Sequence, residues 1–161
     1  MNIKKHIPNL ITLGNLLCGT IAVIFAVQGN FLLAAVFVVL GIMFDFFDGF
    51  AARLLNVSGE LGKQLDSLAD VVTSGVVPGI IMLNLLGGSQ LGLDAINNTS
   101  LLPILGLLLT LAACYRLGKF NLDTRQTDSF IGLPTPAMAL FGISLPLIPM
   151  YSDNQFFIDL V

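Results

Sequence analysis

The amino-acid sequence predicts an all-α fold, a polytopic transmembrane helical bundle with five spans visible and a sixth only begun. Three observations predict it. First, 55% of the 161 residues are hydrophobic, 11% are charged and the mean hydropathy is +0.90, whereas ordinary soluble domains carry about 25% charged residues. Second, the apolar residues gather into five runs, each of a length that can cross a bilayer, for which roughly 20 residues suffice. Third, the basic residues all fall on one side of the alternating connections. The same composition excludes intrinsic disorder. A formal net charge of −3 and a pI near 4.7 speak against a basic nucleic-acid-binding surface, so no nucleic-acid partner is expected. The length corresponds to a single domain over residues 1–161.

The first run covers residues 7–27 and follows Lys4 and Lys5. It is too long for the apolar core of a signal peptide and lacks a small-residue cleavage site. Gln28-Gly29-Asn30 is a tight uncharged turn into the second run, residues 31–55. Residues 56–64 are polar and contain glycine, and the third run follows at 65–86. Within it, Pro78 between Gly75 and Gly79 makes a kink-prone, closely packing stretch. A Gly/Asn/Ser/Thr loop at 87–100 leads to the fourth run, 101–117, and residues 118–132 hold most of the remaining charge. The fifth run, 133–150, opens on Leu133-Pro134-Thr135-Pro136, where a helix start tolerates proline. Phe156-Phe157-Ile158 begins a further run of six residues to Val161, too short to cross. That pattern reads as a chain cut off where its sixth span begins. Cys18 and Cys114 sit in apolar runs and read as small buried residues.

With the N-terminus in the cytoplasm, Lys4, Lys5, Arg53, Lys63, Arg116, Lys119 and Arg125 all lie inside, in accord with the positive-inside rule. The expectation is an integral, multi-pass protein of a prokaryotic inner membrane, its N-terminus cytoplasmic.

Four carboxylates interrupt the apolar pattern. Asp45 and Asp48 lie in the second run, and Asp66 and Asp70 open the third. A carboxylate at the centre of a membrane helix costs about 2.5–3.5 kcal/mol on insertion scales, so these four need partners. Their spacings, i, i+3 and i, i+4, put each pair on one helical face. A short connection makes the two helices antiparallel neighbours, so both pairs can converge at one end. Two divalent cations would neutralise four charges, and all-oxygen ligation suits Mg²⁺ or Mn²⁺. A cation or proton transport pathway and structural pairing with Arg53 are the competing readings. Gly49, Ala52 and Gly62 leave room for a bulky ligand beside the acids, and the Arg53 fork can hold phosphate. Cations plus an arginine describe a diphosphate site.

This segment, Asp45-x-x-Asp48-Gly49-x-x-Ala52-Arg53 followed by Gly62-x-x-x-Asp66-x-x-x-Asp70, resembles the signature of the CDP-alcohol phosphotransferases at every fixed position. The resemblance implies a membrane core of six helices that transfers a phosphoalcohol from a CDP-linked donor to an acceptor hydroxyl and releases CMP. By the same resemblance Asp45, Asp48, Asp66 and Asp70 ligate two metal ions and Asp70 is also the general base. The resemblance also implies that Gly49, Ala52, Arg53 and Gly62 line the nucleotide and diphosphate site and that the protein is a homodimer.

Asn9, Thr12 and Asn15 form a polar stripe on the first helix, read either as helix–helix hydrogen bonding or, for Asn9 and Thr12, as contacts to the donor headgroup. The opening Pro8-Asn9-x-x-Thr12, the stretch Arg116-Leu117-Gly118-Lys119-Phe120-Asn121 and Gly132-Leu133-Pro134-Thr135-Pro136-Ala137 resemble the bacterial and archaeal phosphatidylserine synthase branch. That branch has alanine and arginine where this chain has Gly118 and Lys119, and lysine lacks the planar fork. The branch implies CDP-diacylglycerol as donor, L-serine as acceptor and membrane lipids as surroundings. Arg116 is the candidate for the serine carboxylate and Asn121 for a further polar contact. Other acceptors, such as glycerol phosphate or an inositol phosphate, remain the alternative within this chemistry. A cation or proton transporter is the alternative outside it. Thr135 is a further residue that could face the site.

Overall fold

The structure, a computed structural model, describes residues 6–57, 59–88, 101–122 and 133–151. Uninterrupted apolar sequence at helical length produces α1 (His6–Val27) and α2 (Phe31–Leu54). Three residues serve as both stop and start between them. Gly29 takes φ +75°, a conformation glycine adopts without steric cost. The Asn30 and Gly29 N–H groups then donate to the carbonyls of Phe25 and Ala26, at 2.9 and 3.1 Å, closing the last turn of α1. The Asn30 side chain in turn accepts from the Leu33 N–H at 3.2 Å and caps α2. α2 ends in the same way. Asn56 takes φ +51°, and the N–H groups of Val57 and Asn56 donate to Ala52 and Arg53.

The third span runs from Glu60 to Gly88. It comprises α3 (Glu60–Asp70), a π-helical turn (Val71–Val76) and α4 (Val77–Gly88). A 3₁₀ turn, Leu102–Leu107, opened by Pro103, feeds α5 (Leu108–Leu122). α6 (Thr135–Ser144) passes through a second 3₁₀ turn, Leu145–Leu147, into α7 (Ile148–Tyr151). Among the described residues, four helical stretches are long and apolar enough to cross a membrane: α1, α2, Glu60–Gly88 and Leu102–Leu122. The fifth expected span forms the shorter apolar helix Thr135–Leu147 and is interrupted where Pro146 and Pro149 remove backbone donors. The third and fourth helices extend past their apolar runs, to Glu60 and Leu122, because a helix need not stop where hydrophobicity does. The expected sixth run, together with Lys4, Lys5 and Arg125, lies outside the described residues.

The third span is the hub. It packs on α1 along its length, α5 lies against its π-helical turn, and α6 lies against α2 and α4. Away from the acidic residues the core is built from Ala22, Ala26, Ala34, Ala35, Val38, Val77, Ile81, Ala139 and Ile143. Alanines from α1 and α2 let backbones approach closely, the packing mode that membrane helices favour. Cys18 is buried as expected, but Cys114 is exposed on α5, and Leu10, Leu17, Phe46, Leu54, Leu111 and Phe141 are exposed as well. Such apolar side chains suit a hydrocarbon surround rather than water.

Candidate active site

The Schellman-type turn after α2 reverses the chain, so the acidic ends of α2 and α3 meet. Oxygen atoms of Asp45, Asp48 and Asp66 lie within 4.8 Å of one another. Three carboxylates at that range repel by about 3 kcal/mol per pair at an effective dielectric of about 20. A hard, all-oxygen donor set of this kind fits a divalent cation such as Mg²⁺ or Mn²⁺. Asp70, one turn further along α3, stands outside this trio and is held by α1.

The polar stripe of α1 is what steadies the acids. Thr12 is buried, and its hydroxyl donates to Asp48 Oδ2. Asn15 is fully buried and donates from Nδ2 to Asp70 Oδ1 at 3.2 Å. These are interhelical hydrogen bonds, the first of the two readings of the stripe, and their acceptors are the candidate metal ligands. Asn9, between them and the chain end, borders a cavity.

Among the described residues, two cavities flank the carboxylates. The first, about 660 Å³, lies between the start of α1, the end of α2 and the start of α3, and is bordered by Asn9, Thr12, Asp48, Gly49, Ala52 and Gly62. A Cβ on Gly49 would meet nothing within 4 Å, whereas one on Gly62 would come within 3.3 Å of Asn9 Oδ1. The second, about 330 Å³, lies between α3, α5 and α6, and is bordered by Asp45, Ser67, Asp70, Arg116, Asn121 and Thr135. Asp66 and Lys63 border both. The acids thus stand along the partition, with Asp48 on one side, Asp45 and Asp70 on the other, and Asp66 common to the two.

Arg53 joins neither wall. It is exposed, lines neither cavity, and sits about 140° around α2 from Asp48 at roughly 100° per residue. Arg116 and Asn121 do meet the acids across the second cavity, as does buried Thr135. Asn121 Nδ2 donates to Ser67 Oγ at 2.7 Å, and Lys63 Nζ donates to the Asn121 carbonyl at 3.0 Å. The lysine thereby satisfies a carbonyl at the C-terminal end of α5, where a cation is favoured. No motif singles out Lys63 or Ser67. A positional signal is present, because Lys63, Asp66, Ser67 and Asp70 recur at i, i+3, i+4 and i+7, one face of α3.

The family profile described as CDP-alcohol phosphatidyltransferase matches residues 5–158. The chain belongs to the CDP-alcohol phosphatidyltransferase family. It is therefore a transferase of phospholipid biosynthesis, from a family that depends in general on divalent metal ions and uses a CDP-linked donor and an alcohol acceptor in a lipid environment. It is 38% identical over 152 residues to the CDP-diacylglycerol–serine O-phosphatidyltransferase of Bacillus subtilis (strain 168), covering 91% of this chain and 79% of that protein. It is 34% identical over 151 residues to the enzyme of the same name from Helicobacter pylori (strain J99 / ATCC 700824), covering 92% of this chain and 59% of that one. It is 30% identical over 161 residues to the archaetidylserine synthase of Methanothermobacter thermautotrophicus, covering 95% of this chain and 65% of that one. The transferase thus spans less than two thirds of the length of the latter two relatives. No solved structure matches the chain.

Proposed function

We propose that this phosphatidyltransferase transfers the phosphatidyl group of CDP-diacylglycerol to the hydroxyl of L-serine and releases CMP. The observation that carries this reading is the carboxylate partition between two cavities of unequal size. A transfer reaction needs a donor and an acceptor on either side of the reacting phosphorus, held in line. The larger cavity, with open space over Gly49 and a wall at Ala52 and Gly62, takes the CDP headgroup, with Asn9 and Thr12 at its mouth. The donor's acyl chains stay in the bilayer. The smaller cavity takes the acceptor, with Arg116 opposite the serine carboxylate and Asn121 and Thr135 as polar contacts.

Asp45, Asp48, Asp66 and Asp70 would hold two divalent ions, Mg²⁺ or Mn²⁺. Such ions supply charge neutralisation at the diphosphate. Asp70 faces the acceptor cavity and takes the proton of the serine hydroxyl. The serine oxygen–phosphorus bond forms as the bond from that phosphorus to the CMP oxygen breaks. Arg53, exposed at the end of α2, holds headgroup phosphate at the membrane edge rather than the reacting diphosphate. We further infer that the site and the N-terminus face the cytoplasm of a prokaryotic cell, where CDP-linked donor and serine meet, and that the enzyme is a homodimer.

Serine is favoured over glycerol phosphate by how far the likenesses extend. The relatives with serine-linked names match along nearly the whole chain. The glycerol-3-phosphate enzyme of Aquifex aeolicus (strain VF5) matches 67 residues, 42% of it. The test is CMP release from CDP-diacylglycerol by the purified protein, with serine, glycerol 3-phosphate or an inositol phosphate, with and without Mg²⁺ or Mn²⁺. Release is expected with serine and a metal. Turnover with another alcohol and none with serine would reassign the acceptor, and undiminished turnover in excess chelator would refute the metal site.

A further inference from the structure

The π-helical turn directly after Asp70 is a rare conformation that tends to mark functional positions, and no motif accounts for it. Its third residue, Thr73, is 1% exposed. The Thr73 hydroxyl donates to Asn15 Oδ1 at 2.8 Å, with the Asn15 main-chain carbonyl further off at 3.4 Å. Asn15 spends its other amide atom on Asp70, donating from Nδ2 at 3.2 Å. The three groups form one buried relay: Thr73 to Asn15 to Asp70.

Chemistry fixes its direction. An ionised carboxylate accepts only, so Asn15 must turn its NH₂ edge to Asp70. The carbonyl edge then faces the opposite way and needs a donor, which the Thr73 hydroxyl supplies. If the amide were reversed, two oxygens would confront each other at Asp70. Two glycines seat the relay from the outside. A Cβ on Gly41 of α2 would come within 2.8 Å of Thr73 Cγ2 and 2.9 Å of Asn15 Oδ1. A Cβ on Gly19 of α1 would meet the Thr73 hydroxyl and lie 3.1 Å from its backbone nitrogen. Neither glycine borders either cavity.

We propose that Thr73 and Asn15 are positioning residues that lock Asp70 Oδ1, leaving Oδ2 as the oxygen that serves the metal and the acceptor hydroxyl. The π-helical turn is the device that lets one helix do both jobs. α3 keeps Lys63, Asp66, Ser67 and Asp70 on the site face, and the π-helical turn that follows it carries Thr73 against Gly19 of α1 and Gly41 of α2. The proposal rests on the reading of Asp70 as a ligand and proton acceptor.

Two readouts test it: Mn²⁺ affinity of the substrate-free protein, by electron paramagnetic resonance titration in detergent, and kcat at saturating substrates. Outer partners of metal ligands commonly matter by about 10–100-fold in affinity or activity. Thr73→Val, nearly isosteric, should lower both quantities within that range, and Asn15→Ala should do the same. Thr73→Ser, which keeps the hydroxyl, should restore both. Gly41→Ala, remote from either cavity, should weaken Mn²⁺ binding by pressing on the Asn15 carbonyl. Parental affinity and kcat in Thr73→Val and Asn15→Ala would overturn the relay. If Thr73→Val does not fold, Asn15→Ala decides between the two outcomes by the same readouts. Asp66→Asn distinguishes failure of the relay from failure of the metal site. If it binds Mn²⁺ and turns over like the parent, the metal site itself is wrong. If it is inactive while the relay variants behave as the parent, the relay alone is wrong.

Discussion

At the scale of single residues, the four aspartates are not equivalent. Asp48 and Asp70 are buried and each is tied to a polar side chain of α1. Asp66 borders both cavities and contributes an oxygen to the cluster with Asp45 and Asp48. Asp66 is therefore the position where losing one charge affects both substrates. Asp66→Asn should cut kcat by about 100-fold or more, since metal-linked charge stabilisation is worth several kcal/mol, while membrane insertion stays intact because a neutral amide is easier to bury. CMP release and membrane fractionation check the two halves, and normal turnover refutes the role. The identity of these acids was legible in the sequence because charge in an apolar run is costly and conspicuous. The hydrogen-bond partners were half legible. Asn9, Thr12 and Asn15 announce a stripe, but nothing in their spacing says that Thr12 meets Asp48 and Asn15 meets Asp70. Arg53 is a different case: its proximity in sequence to Asp48 suggests a shared site, while helical rotation places it on another side of α2, where it lines neither cavity.

At the scale of elements, the long helices follow from apolar runs and their ends from particular residues, Gly29 and Asn56 above all. The π-helical turn was not legible, because Val71-Val72-Thr73-Ser74-Gly75-Val76 reads as ordinary span. Its Thr73 packs closely against glycines in two other helices, Gly19 and Gly41. Close backbone approach also fixes the fourth span, which carries Arg116 and Asn121. A Cβ on Gly106 would lie 2.6 Å from Leu83 N and 2.8 Å from the Met82 carbonyl carbon. Those are backbone atoms, with no flexible side chain to yield. Gly106→Ala should destabilise the protein by about 1–3 kcal/mol, the usual range for overpacking. It should also raise KM for the acceptor by shifting the span that borders the smaller cavity. Gly118→Ala, on the same span with nothing within 4 Å, should leave thermal stability in detergent unchanged or slightly improved. Equal stability of the Gly106→Ala protein would show that the fourth span tolerates displacement.

At the scale of the whole molecule, the crossings sort the polar groups by depth. α1 has 22 residues and α2 has 24, about 33 and 36 Å at 1.5 Å per residue, against a hydrocarbon core of about 30 Å. Each can therefore carry the chain from one face to the other. His6 borders the larger cavity, so α1 starts at the site face and the Gln28–Gly29–Asn30 turn lies on the opposite face. α2 returns to Asp45 and Asp48, the third span departs, and α5 brings Arg116, Lys119 and Asn121 back. Arg53, Lys63, Arg116 and Lys119 accordingly share the site face, and the positive-inside rule is the ground for the proposed cytoplasmic placement of that face. A transport pathway would string ionisable groups across the membrane, whereas here the four aspartates gather at one end. In a background with Cys18→Ala and Cys114→Ala, a membrane-impermeant maleimide should label Gln28→Cys in intact cells. Lys119→Cys should be labelled only after the membrane is opened. The reverse pattern would put the site outside the cell, away from its CDP-linked donor, and would overturn the assigned orientation. Labelling of both positions in intact cells would show that Gln28 and Lys119 share a face, which contradicts the crossing of α1 itself.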